Sequence, residues 1–180
     1  MTKFTRHLLY LIIVFMRIYF PMLFFQYHSP YLVIAIVLFD IVDAEFASNH
    51  VLSKEWYQRM DKMMDLWWYF WILTYVVVNY PAYSLLFIGL FVYRFIGHIL
   101  IVIGVKRSVL IYFPNIFEYL FFLLFFSYTF SSLKLLIRDN NFYLSLTIII
   151  LFKFSQEYFL HVRKLSIRET ILGLKRGWTE

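Results

Sequence analysis

An all-α integral membrane fold is what this sequence predicts: a six-transmembrane-helix bundle with a C-terminal interfacial amphipathic helix, in a single domain over residues 1–180. Three observations predict it. Of the 180 residues, 62% are hydrophobic and 16% charged, with a mean hydropathy of +0.71, which is more apolar surface than one core of this size can bury. The apolar residues fall into six runs separated by polar or proline-containing breaks. The basic residues, finally, gather in the gaps that six crossings would place on one side.

The first run, 8–27, follows Lys3 and Arg6. It is too long for a signal peptide, contains Arg17 and lacks a small-residue cleavage site, so it reads as a retained first span. The second and third runs, 31–46 and 66–79, are short and flank the polar stretch 47–65, into which protruding helices would carry its charges. The remaining runs are 82–105, 111–133 and 142–162. An even number of spans puts both termini and the 47–65 loop on one face. That face collects Lys3, Arg6, Lys54, Arg59, Lys62, Lys106, Arg107 and the basic residues after Val162, while Lys134 and Arg138 fall opposite. By the positive-inside rule this face is cytosolic or its organellar equivalent. From Arg163 on, Leu165, Ile167, Ile171, Leu172 and Leu174 alternate with basic residues, the pattern of a helix lying on the membrane.

Composition also excludes. Without cysteine, neither a disulfide framework nor a Cys-ligated zinc site is possible. The net charge of +6 is spread through short gaps and forms no continuous groove, so it points to a membrane face and its lipid and not to nucleic acid.

Chemistry concentrates in the aspartates. Four of the five fall in one region: Asp40 and Asp43 at i and i+3, then Asp61 and Asp65 at i and i+4. Each pair shares a helix face. If the two helices are neighbours, four carboxylates converge near one membrane surface, where they would repel or take up protons. A pair of hard divalent cations, Mg²⁺ or Mn²⁺, resolves this, and such ions bind phosphates in turn. The alternative is that the acids are solvated helix ends balanced by Lys54, Arg59 and Lys62.

The segment from Asp40 through Asp43, Ala44, Ala47 and Ser48 to Asp61 and Asp65 resembles the signature of the CDP-alcohol phosphatidyltransferase family, D-x2-D-G-x2-A-R-x8-G-x3-D-x3-D. All four aspartates and Ala47 fall in register; the glycines are Ala44 and Tyr57 here, and the arginine is Ser48. Arg17 and Pro21 look like the family's R-x3-P in the first span. The resemblance implies transfer of a phosphatidyl or related phosphoalcohol group from a CDP-linked lipid donor to an alcohol in phospholipid synthesis, releasing CMP. It implies two metal ions on Asp40, Asp43, Asp61 and Asp65, with Asp65 as the base. It places the CDP donor at Ala44, Ala47 and Ser48, where Lys54 could replace the missing positive charge, and it implies a homodimer. Against it stands a non-catalytic relative, or an unrelated helical subunit of a larger membrane complex.

Further charged residues lie in or beside the later spans. Arg94 with His98, and Lys106 with Arg107, read as an anionic acceptor-binding face; equally, Arg94 reads as paired with Glu118 or Glu157. Lys153, Glu157 and His161 recur at i+4 and mark one polar face, most simply an intrahelical Lys153–Glu157 pair. Trp67, Trp68 and Trp71 read as interfacial belt and packing.

Overall fold

The computed structural model describes residues 3–48 and 51–161, and among these every regular element is helical. Six α-helices follow in order: α1 (Lys3–Tyr27), α2 (Pro30–Ala47), α3 (Lys54–Asn79), α4 (Ser84–Val102), α5 (Ile116–Thr129) and α6 (Asp139–His161). Short 3₁₀ turns cover Pro81–Tyr83, Arg107–Tyr112 and Ser131–Ile137. The predicted all-α fold is what the chain adopts. The predicted interfacial helix from Arg163 onward lies outside the described residues.

Local chemistry explains the breaks. The first falls where His28 adopts the left-handed conformation (φ 53°), and Ser29 is extended ahead of Pro30 at the first position of α2, where a missing N–H costs nothing. Gly104, at φ 100°, closes α4 in the left-handed geometry that glycine adopts freely. The start of α5 is fixed by Asn115. Its side chain accepts from the Glu118 backbone N–H (3.3 Å) and donates to the Glu118 carboxylate (2.7 Å), a reciprocal cap.

One expectation is met in part and one is corrected. Helix protrudes into the polar stretch as expected, and further than a 47–65 loop would allow: 54–65 forms the first three turns of α3, because no glycine or proline interrupts 54–79 and its charges sit at helical spacing. Of the six helices, two are long and apolar enough to cross a membrane, Phe4–Tyr27 and Pro81–Val102; a third arises if Ser131–Ile137 and Asn140–Phe159, bent by 85°, count as one span. The shortfall from six has physical causes. α2 carries Asp40, Asp43 and Glu45, α3 is charged through its first half, and α5 has 14 residues, about 21 Å of helix against a hydrocarbon core of about 30 Å.

The chain divides into two compact units, with the boundary between Trp71 and Ile72, inside α3. In the first unit α1 buries Tyr10, Ile13, Arg17 and Phe24, the three-to-four spacing of one helix face. Within this unit Tyr10 clusters with Ala44 and Ala47 of α2 and Tyr57 of α3, and Phe24 meets Trp68 of α3, while Val33, Ile36 and Met64 are buried as well. The tryptophans are packing residues here. Trp68 meets Phe24 edge-on at 5.4 Å, Trp71 lies 5.2 Å from Phe25, and the Trp67 indole donates to the Ile18 carbonyl at 2.8 Å.

The second unit is built on phenylalanine. Phe87, Phe117, Phe121 and Phe125 are almost fully buried, with Phe87 and Phe117 5.5 Å apart and Tyr75 against Phe121 and Phe125. Gly97 lets the segment after α4 close down on that helix. A Cβ there would stand 2.6 Å from the Phe113 Cβ.

Candidate metal centre

The spacing of the aspartates does what helix geometry requires. Asp40 and Asp43 leave α2 on one side, Asp61 and Asp65 leave α3 on one side, and all four meet within the first unit. At their centre is a side chain from α1. The Arg17 guanidinium is 5% exposed. Its Nη2 donates to Asp40 Oδ1 at 2.5 Å and Asp65 Oδ1 at 2.9 Å; its Nη1 donates to Asp61 Oδ1 at 3.3 Å and to Asp43 Oδ2. Lys62 adds a second cation, 2.8 Å from Asp61 Oδ2 and 2.5 Å from Asp65 Oδ2. The Tyr57 hydroxyl donates to Asp43 Oδ1 at 2.7 Å.

Burial grades the four acids. Asp43 is fully enclosed, Asp61 and Asp65 are mostly so, and Asp40 is 48% exposed, leaving an opening on its side. Burial, with the charges of Asp61 and Asp43 behind it, pushes the Tyr57 hydroxyl well above its ordinary range. It therefore stays a donor to Asp43 at any physiological pH.

The donor set suits a hard divalent ion. Asp40, Asp61 and Asp65 each offer a carboxylate oxygen, and the three atoms lie within 4.8 Å of one another, a separation that small side-chain movements bring into an Mg²⁺ or Mn²⁺ shell. Among the six charged side chains of the cluster, four carboxylates face Arg17 and Lys62. The cluster holds two more carboxylates than cations, an imbalance that protonation or an entering cation offsets. A further polar atom points the same way: the Tyr10 hydroxyl is buried with no hydrogen-bond partner among the described residues, within electrostatic reach of Asp43, Arg17 and Asp61.

The positions that the resemblance assigns to the CDP donor take different settings. Ala44 and Ala47 are buried in a cluster with Tyr10 and Tyr57, so an aromatic ring fills space that a second motif glycine at 57 would leave open. Ser48 is fully buried and its hydroxyl donates to the Glu45 carbonyl at 3.1 Å. Lys54, in the first turn of α3, is exposed.

The proposed acceptor residues belong to the second unit. Arg94 is buried, donates to the Phe113 carbonyl and lies 3.8 Å from Glu157 Oε1, so of its two candidate partners Glu157 is the one it meets. His98 is fully buried with Nδ1 3.0 Å from the Arg94 carbonyl one turn back. Lys153 donates to Gln156 at 2.5 Å and lies 4.2 Å over the Tyr119 ring. Lys106 is exposed, and Arg107 opens the following 3₁₀ turn.

Lys62, read from the sequence as a balancing cation, does pair with two of the acids, while Arg17 and Tyr57 are participants to which the sequence assigned no role among the carboxylates. A signal for Arg17 was present, since an arginine ten residues into an apolar run demands a carboxylate partner. Comparison with protein-family models, with characterised proteins and with solved structures finds no match to this chain.

Proposed function

We propose that this chain is a membrane-embedded transferase that moves a phosphatidyl or related phosphoalcohol group from a CDP-linked lipid donor to an alcohol acceptor in phospholipid synthesis, releasing CMP. One observation carries the reading: four aspartates in the order and spacing of the CDP-alcohol phosphatidyltransferase signature converge on one point. In this reading Asp40, Asp43, Asp61 and Asp65 hold two Mg²⁺ or Mn²⁺ ions. Bound there, the ions neutralise the donor pyrophosphate and the charge developing on the departing CMP. The acceptor hydroxyl oxygen attacks the donor phosphorus, the bond from phosphorus to the CMP oxygen breaks, and the hydroxyl proton passes to an Asp65 carboxylate oxygen. Lys62 orients that carboxylate. Lys54, exposed six residues after Ser48 in the sequence, supplies the donor phosphates with the charge that the motif arginine would. Arg94, His98, Lys106 and Arg107 of the second unit are the residues this reading assigns to an anionic acceptor, and of these Lys106 is exposed while Arg94 and His98 are buried.

The membrane arrangement that goes with this reading puts both termini and the α2–α3 connection on the cytosolic or equivalent face. Homodimerisation accompanies it. A second reading is favoured by the Arg17 contacts, since a cluster with cations of its own can serve to pin three helices in a non-catalytic relative or in a subunit of a larger membrane complex.

The test is CMP release by purified protein given CDP-diacylglycerol, Mg²⁺ or Mn²⁺ and a panel of alcohols. Release that requires both metal and one alcohol supports the transferase. Folded protein that releases no CMP with any alcohol supports the second reading.

A further inference from the structure

The position that a metal ion would take among the four aspartates is one that Arg17 already reaches. Its guanidinium contacts all four carboxylates, from a helix that contributes no acid to the cluster. A divalent cation among Asp40, Asp61 and Asp65 draws on carboxylates that Nη1 and Nη2 engage, and two unscreened cations cannot share them at contact distance. We propose that Arg17 and a divalent cation are alternative occupants of this carboxylate set. Arg17 holds α1 against α2 and α3 while metal is absent, and metal binding releases the guanidinium. This deepens the proposed function and rests on its metal-binding premise.

The geometry gives the exchange a direction. Asp40 is the half-exposed member and faces the opening, while Asp43 is enclosed and hydrogen-bonded by Tyr57. An entering ion therefore meets Asp40 first and Asp43 last. The buried Tyr10 hydroxyl, without a partner among the described residues, lies within electrostatic reach of Arg17 and Asp43. Lys62, paired with Asp61 and Asp65, stays as the second counter-charge.

The experiment measures Mn²⁺ binding to the full chain in detergent by electron paramagnetic resonance, together with thermal unfolding with and without Mn²⁺. The variants are Arg17→Gln and Arg17→Lys. Removing a unit charge at contact distance should tighten Mn²⁺ binding about tenfold or more in Arg17→Gln. That variant should also be less stable than wild type without metal and recover when Mn²⁺ is added. Arg17→Lys keeps the charge, so its affinity should stay within a few-fold of wild type. Equal Mn²⁺ affinity in wild type and Arg17→Gln would overturn the exchange while leaving the metal site standing. If neither protein bound Mn²⁺, both the exchange and the metal premise would fail. An Arg17→Gln chain that stays unfolded at every Mn²⁺ concentration, beside a folded Arg17→Lys, would show that no divalent ion can take the guanidinium's place.

Discussion

Arg17 and Asp43 form a buried ion pair that joins α1 to α2, with the carboxylate wholly enclosed and the guanidinium 5% exposed. Tyr57 of α3 holds the other carboxylate oxygen, so one aspartate ties three helices together. Truncating it leaves one edge of a buried guanidinium and a buried hydroxyl without that acceptor. Asp43→Ala should therefore lose about 3 kcal/mol of stability, read by chemical denaturation in detergent. Asp40→Asn, at the more exposed edge of the cluster, keeps an oxygen acceptor for Arg17 and should cost less than Asp43→Ala.

The Tyr57 hydroxyl yields a pH-dependent prediction. Its folded pKa is raised above its ordinary value of 10.0 by burial and by the carboxylates of Asp61 and Asp43. A raised pKa means that its contribution is complete below the unfolded pKa and is lost as pH climbs above it. Wild-type stability should therefore decline above pH 10, and Tyr57→Phe should show a shallower decline there. Below that pH the variant should be weaker by about 1.5 kcal/mol, the scale of a hydrogen bond to a charged acceptor.

Gly97 tests the second unit. An added methyl would meet the Phe113 Cβ at 2.6 Å and its Cγ at 2.9 Å, and neither atom lies at the free end of a flexible chain. Gly97→Ala should cost about 1–3 kcal/mol through overpacking, whereas Gly89→Ala, with nothing within 4 Å, should be neutral or slightly stabilising. Thermal unfolding of the two variants side by side provides the comparison.

If Lys54 serves the donor phosphates, Lys54→Ala should raise the apparent KM for the CDP-linked donor about tenfold, equivalent to roughly 1.4 kcal/mol. Steady-state CMP release checks it. An unchanged KM in an active preparation would remove Lys54 from the site and leave the four aspartates untouched.

The helices and the acidic motif were legible because both are local properties. Apolar runs and the proline at position 30 mark α1 and α2, and i+3 and i+4 spacings put each aspartate pair on a face. The start of α3 at Lys54 was not legible from hydropathy, which sees charge where helical periodicity continues. Nor did the length of α5 follow from its apolar run, since Asn115 and the turn after Thr129 trim the helix at both ends. Arg17 was the largest omission. Its partners are 23 to 48 residues away in the chain, and a distance of that kind emerges only when three helices pack. The motif marks the aspartates, while the packing of three helices brings an arginine among them.

Diffraction from crystals soaked in Mn²⁺ reads, through the metal's anomalous signal, whether the four aspartates hold a divalent cation. A peak is expected among Asp40, Asp61 and Asp65 that disappears in Asp61→Asn, with the Arg17 side chain displaced where the peak is strong. No peak there at saturating Mn²⁺, or a peak at that place that persists unchanged in Asp61→Asn, would contradict the metal site.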